Sequence, residues 1–73
     1  MSPRLPALTG RRIITILEHR GFVPARQSGS HVVLKHPDGR RVTVPVHAGR
    51  DLGRGLLRQI MRDADLTIDD LSA

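Results

Sequence analysis

Residues 22–46 read FVPARQSGSHVVLKHPDGRRVTVPV, and this stretch decides the fold. Two turn signals divide it. Pro37-Asp38-Gly39 is the stronger, because proline presets the first turn angle and glycine takes the left-handed position. Ser28-Gly29 is a candidate for a tight two-residue turn. Three short β-rich runs lie around them: Phe22 to Gln27, His31 to His36 and Arg41 to Val46. If His36 and Arg40 flank the second turn, Leu34 lies opposite Val42 and Val32 opposite Val44, so all four share a face. If Gln27 and Ser30 flank the first, Ala25 faces Val32 and Val23 faces Leu34, and the same face stays apolar through all three runs. The other face then holds Arg26, His31, Val33, Lys35, Arg41 and Thr43, with Arg26 directly beside His31. The pattern predicts a three-stranded antiparallel meander, apolar on one side, basic and open on the other.

An apolar sheet face needs a cover, and the flanking segments supply it. Before the strands, Ile13, Ile16 and Leu17 recur at helical spacing. Thr9 is a suitable N-cap, Leu8 can staple onto Ile13, and Gly21 is the expected left-handed stop with Phe22 folding back on Leu17. After them, a second helix is expected from Gly53 to Ala64, with Leu56, Leu57, Ile60, Met61 and Ala64 as its apolar stripe. Gly53 and Gly55 at its start leave backbone N–H groups that suit an anion. Thr67 to Leu71 could form one more capped turn. Residues 1–8 contain two prolines and no period, and read as an N-terminal arm. The class is α+β in the order α-β-β-β-α, with both helices on one sheet face. That is the layout of a double-stranded-RNA-binding domain, though layout does not by itself give function.

The chain has 73 residues, enough for a single domain spanning 1–73 with a small core. It has no cysteine, which excludes disulfides and thiolate metal sites. No apolar run approaches the roughly 18 residues of a membrane span, and Met1-Ser2-Pro3-Arg4 lacks a signal peptide's apolar stretch. A soluble cytoplasmic protein is the expectation. Twelve Lys and Arg against seven Asp and Glu give +5, and Lys35 is the one lysine among the twelve. Four acids, Asp63, Asp65, Asp69 and Asp70, fall in the last eleven residues, so the rest is more basic than the total implies. A polyanion partner, nucleic acid above all, fits this balance; so does the solvated surface of a protein from an arginine-rich genome.

Four histidines are candidates for chemistry. His19 closes the first helix among polar positions, where a solvated residue is favourable. His36 precedes Pro37 at a hairpin tip, and His47 follows the third strand. His31 differs, since it opens the central strand on the basic face. An imidazole gains and loses protons near neutral pH. It could take a proton from a ribose 2′-hydroxyl or give one to a leaving 5′-oxygen. An ordinary exposed strand histidine is the competing reading. Metal chemistry finds little support, because His31 and His36 point to opposite faces and no HExxH or Cys/His cluster is present. No Walker loop, dinucleotide fingerprint or nucleophile elbow occurs. Ser30 is not a dyad partner for His31, because strand neighbours face apart.

The chain resembles the HicA toxins, small mRNA interferases of bacterial and archaeal type II toxin–antitoxin systems. The likeness runs from Leu8 to Leu71. It rests on Leu8-Thr9-Gly10 opening a helix that ends in Gly21-Phe22, on Arg26-Gln27-Ser28-Gly29-Ser30-His31, on the run from His36 to His47, and on Leu52-Gly53-Arg54-Gly55-Leu56-Leu57-Arg58-Gln59-Ile60. The resemblance implies a double-stranded-RNA-binding-like fold, ribonuclease activity with no metal or other cofactor, and a HicB-type antitoxin that covers the active face. The family's catalytic histidine, the one in Gly-Ser-His, matches His31. Arg26 and Lys35 would steady the phosphate, and Arg41, Arg54 and Arg58 would hold the RNA backbone. Two positions depart from the family pattern. Gly55-Leu56-Leu57 stands where Gly-Thr-Leu is common, and Asp65 stands where a glycine often follows the second helix, though aspartate can adopt the left-handed cap. The alternatives are a double-stranded-RNA binder without chemistry and a degenerate toxin that only binds its antitoxin.

Overall fold

In the computed structural model, which describes residues 5–72, the chain forms α1 (Gly10–His19), β1 (Val23–Ser28), β2 (His31–Lys35), β3 (Arg41–Pro45), α2 (Arg54–Ala64) and a last turn, α3 (Ile68–Leu71). The strands pair antiparallel in the order β1-β2-β3. The expected N-terminal arm falls partly on residues 1–4, outside the described residues; within the rest of it, Leu5 and Leu8 pack against the core.

Both long helices end as their sequences dictate. The Thr9 side chain accepts from the Arg12 N–H at 3.1 Å, capping α1. At the other end the Gly21 N–H donates to Glu18 and the Phe22 N–H to Leu17, the paired bonds of a Schellman ending, with Gly21 at φ 94°. α2 closes the same way on Asp65, whose φ of 55° is the one positive value among the described non-glycine residues. A short polar side chain tolerates that conformation. α3 is held by a capping box between Thr67 and Asp70.

The core lies between the helices and the strand pair β2–β3. Val32, Leu34, Val42 and Val44 meet Ile13, Ile16 and Leu17 of α1 and Leu57, Ile60 and Ala64 of α2, with Phe22, Leu66 and Leu71 sealing the edges. The second hairpin has the expected register, Leu34 opposite Val42 and Val32 opposite Val44. On α2 the stripe is narrower than expected, for Leu56 is 39% exposed.

The first hairpin departs from expectation by one residue. Its turn is Gly29-Ser30, and Ser28 pairs with His31. Gly29 takes φ 57° at the first central position and Ser30 is not left-handed, the pattern of a type II′ turn, which needs glycine first. Starting the turn at Ser28 would have put glycine second. Arg26 therefore pairs with Val33, not with His31. A β-bulge between Pro24 and Arg26 then shifts the pairing again, leaving Pro24 opposite Leu34 and Val23 opposite Lys35. Proline is tolerated at such edge irregularities. Val23 consequently turns to the open face, 61% exposed, and Ala25 does not reach the core. All six β1 residues are exposed: the helical layer covers β2 and β3 only.

Candidate nucleic-acid interface

Among the described residues no helix covers the outer face of the sheet. By register it carries Val23, Arg26 and Ser28 from β1, His31, Val33 and Lys35 from β2, and Arg41, Thr43 and Pro45 from β3. None of the three strands contains an acid.

His31 sits at one end of this face. Its directly opposed neighbours are Ser28 and Pro45, with Cβ atoms about 5 Å away in such pairs. Arg26 and Thr43 are its diagonal neighbours, at roughly 7–8 Å, within reach of a long side chain. The expectation that Arg26 lies directly beside His31 is thus corrected to a diagonal placement on the same face. The backbone here is fixed: the tight turn precedes His31, and the Val46 N–H donates to the Ser30 carbonyl at 2.6 Å. The imidazole itself is exposed, and no side chain or backbone group among the described residues pairs with it.

The remaining expected cations are spread out. Lys35 and Arg41 face each other directly at the far end of the face, about 13 Å along the strand from His31. Two like charges in direct opposition disfavour the sheet, which makes the pair notable. Arg54 and Arg58 are exposed on α2, on the helical side of the sheet. Arg26 alone is brought next to His31.

His36 is the opposite case to His31. Its Nε2 lies 3.1 Å from the Arg20 carbonyl, and its Nδ1 accepts from the Asp38 N–H at 3.1 Å. The Asp38 carboxylate also lies 2.9 Å from Nδ1; a proton on Nε2 serves the Arg20 carbonyl, and one on Nδ1 serves the carboxylate. The ring meets Phe22 edge-on at 5.0 Å, and Arg40 lies 5.2 Å over the other ring. Arg40 also bonds Asp38 at 2.7 Å and the Ala64 carbonyl at 2.6 Å. His36 and Arg40 thus tie the second hairpin to the C-terminal ends of α1 and α2. The sequence showed His36 only as a hairpin-tip residue. The signal that could have found its role is Gly21, where an added Cβ would meet the His36 Nε2 at 2.9 Å.

The two helices run in the same direction across the sheet. Gly10 starts α1 against Pro45, so closely that a Cβ would collide with the Pro45 carbonyl oxygen. α2 begins just after Asp51, which bridges to Thr9. Both N-termini therefore lie at the His31 end and both C-termini at the His36 end. The acids gather at the latter: Glu18, Asp38, Asp63 and Asp65 by position, and Asp70 through its 3.3 Å pair with Arg20. The carboxyls of Asp38 and Asp70 titrate below the ordinary value. For Asp38 the chief cause is the Arg40 backbone N–H, and for Asp70 that of Thr67, with guanidinium charge adding in each case. The His31 end, by contrast, combines positive helix ends with arginines. Among the described residues no group of three His, Asp or Glu side chains is placed to hold a metal ion, and no helix is long and apolar enough to cross a membrane.

A family model described as the HicA toxin of bacterial toxin-antitoxin matches residues 10–66, most of the chain. No curated protein matches it.

Proposed function

The chain belongs to the HicA toxin family of bacterial toxin–antitoxin systems, and from that premise we propose that it is an endoribonuclease that cleaves mRNA with His31 as its acid–base group. One observation carries the reading: His31 alone among the four histidines combines exposure on the open sheet face, a hydrogen-bonded strand backbone and a ring that pairs with none of the described residues. His36 is fully engaged in holding the fold.

Phosphodiester cleavage beside a ribose needs a proton removed from the 2′-hydroxyl and one delivered to the departing 5′-oxygen. One imidazole can perform either transfer, or both in turn. Charge builds on the phosphoryl oxygens as the new bond forms. Arg26, diagonal to His31, is the cation in reach to oppose it. Lys35 and Arg41 lie too far along the strand to touch the same phosphate and would hold neighbouring ones. Arg54 and Arg58 would contact the backbone beyond the sheet. Such contacts supply affinity with little sequence information. Phe22, the single Phe, Tyr or Trp of the chain, is buried, so no such ring is offered for bases to stack on.

The family places the chain with an antitoxin. The proposed partner is a HicB-type protein that covers the open face, in the cytoplasm. No metal is required for the proposed chemistry, and cleavage is expected to persist in EDTA. The deciding test is cleavage of RNA by purified protein and by the His31→Ala variant. Loss of cleavage with RNA binding retained supports the assignment. Undiminished cleavage removes it, and RNA binding by a wild-type protein that never cleaves gives the chain to the binder reading.

A further inference from the structure

The segments 5–14 and 46–58 are far apart in sequence but are zipped together. Thr9 bridges to Asp51, and the Leu52 N–H donates to the Leu8 carbonyl at 2.7 Å. This brings Arg11 and Arg12 on the first turn of α1 beside Arg50 in the loop and Arg54 on the first turn of α2. The four lie within two or three residues of the bridge, all exposed. Asp51 is the one acid in the two segments. The cluster adjoins His31 through Pro45, which is the cross-strand partner of His31 and whose carbonyl abuts Gly10.

The placement runs against helix stability. A helix N-terminus carries partial positive charge, so arginines in the first turn are unfavourable there and acids favourable. Neither long helix has an acid in its first turn. At the other end of the molecule acids stand against the arginines: Arg20 pairs with Asp70 and Arg40 with Asp38. Positive charge is thus concentrated at the end that holds His31.

We infer that Arg11, Arg12 and Arg50, together with Arg54, form a phosphate-binding patch that carries the RNA backbone off the open face, over the β3 edge at Pro45, and onto the helix side. This rests on the RNA reading above and extends it to three arginines and a second surface. The patch contacts phosphates and not bases: guanidinium forks suit phosphate oxygens, and no Phe, Tyr or Trp is exposed beside them.

The test uses the full chain and a single-stranded oligonucleotide with 2′-O-methyl riboses, which keeps the phosphates and cannot be cut by way of a 2′-hydroxyl. Binding is measured as a function of salt. Each phosphate contact to a single strand adds about 0.7 to the slope of log affinity against log salt. The triple variant Arg11→Gln, Arg12→Gln, Arg50→Gln is expected to bind roughly tenfold or more weakly at low salt and to lose about 2 from the slope, equally for two unrelated sequences. The control Arg62→Gln is expected to bind as wild type. Should the triple variant not fold, Arg50→Gln alone decides, since this loop arginine's side chain bonds to none of the described residues; a slope reduced by about 0.7 supports the patch. An unchanged slope and affinity overturns it, as does failure of the parent to bind, a loss confined to one sequence, or a loss of antitoxin binding with oligonucleotide binding intact. Because the probe is uncleavable, these outcomes are independent of whether His31 is the catalytic group.

Discussion

His31 and His36 stand five positions apart on and beside one strand, and their surroundings differ: the His36 ring is bonded into the fold and the His31 ring is exposed. His36 bonds through both ring nitrogens and packs on Phe22. His36→Ala removes two hydrogen bonds and an aromatic edge from a side chain only 20% exposed. The expected loss is about 2 kcal/mol, read as a fall in Tm of roughly 10 °C. Cleavage per folded molecule should be unchanged. A variant as stable as wild type would show that these contacts contribute nothing. The sequence pointed to His31 through strand parity and Gly-Ser-His, and the face it predicted is the face observed. What it misjudged was the neighbour: one residue of turn placement moved Arg26 from direct to diagonal, because the conformation of Gly29 decides between two turns that look alike in Ser28-Gly29-Ser30. The structural role of His36 was illegible for a different reason, since its partners, Arg20 and Phe22, come from the end of another element.

At the level of elements, the helices and the second hairpin were readable because each carries redundant signals: a cap, a periodic stripe, a glycine or aspartate stop, a Pro-Asp-Gly turn. β1 lacks such redundancy. Its apolar residues, Val23 and Ala25, suggest a core strand, but the bulge beside Pro24 and the limited reach of the helical layer leave it exposed. Joints between elements rest partly on carboxylates, and this sets an acid limit. Asp38 and Asp70 have folded-state values below that of an ordinary aspartate, held there chiefly by the Arg40 and Thr67 backbone N–H groups. Groups of this kind contribute stability that is present in full above the unfolded value and is lost as the pH falls through the folded one. Thermal unfolding should therefore give a flat Tm above about pH 5 and a decline below about pH 4. Asp38 is exposed and Asp70 half-buried, and pairs this close to solvent are weak, so the decline should be shallow. In an Asp38→Asn, Asp70→Asn double variant the decline should be reduced; an identical acid profile would show that other carboxylates set the limit.

Across the whole molecule, charge is sorted by end. The sequence hinted at this in the four acids of its last eleven residues. It could not show that parallel helices carry those acids to the end opposite His31, because that depends on the Gly10–Pro45 and Arg40–Ala64 contacts. The result is a small α+β body with an open sheet face, one committed and one uncommitted histidine on its central hairpins, and a basic end around the latter. Membership in the HicA family gives this arrangement its biological setting. The assignment of catalysis to His31 is the central claim, and end-mapped RNA cleavage by equal amounts of folded wild-type and His31→Ala protein, with EDTA present, tests it most directly. The account predicts cleavage by the wild type and a loss of at least about a hundredfold in the variant, with RNA affinity retained; cleavage by the variant at the wild-type rate, or by neither protein once EDTA is added, would contradict it.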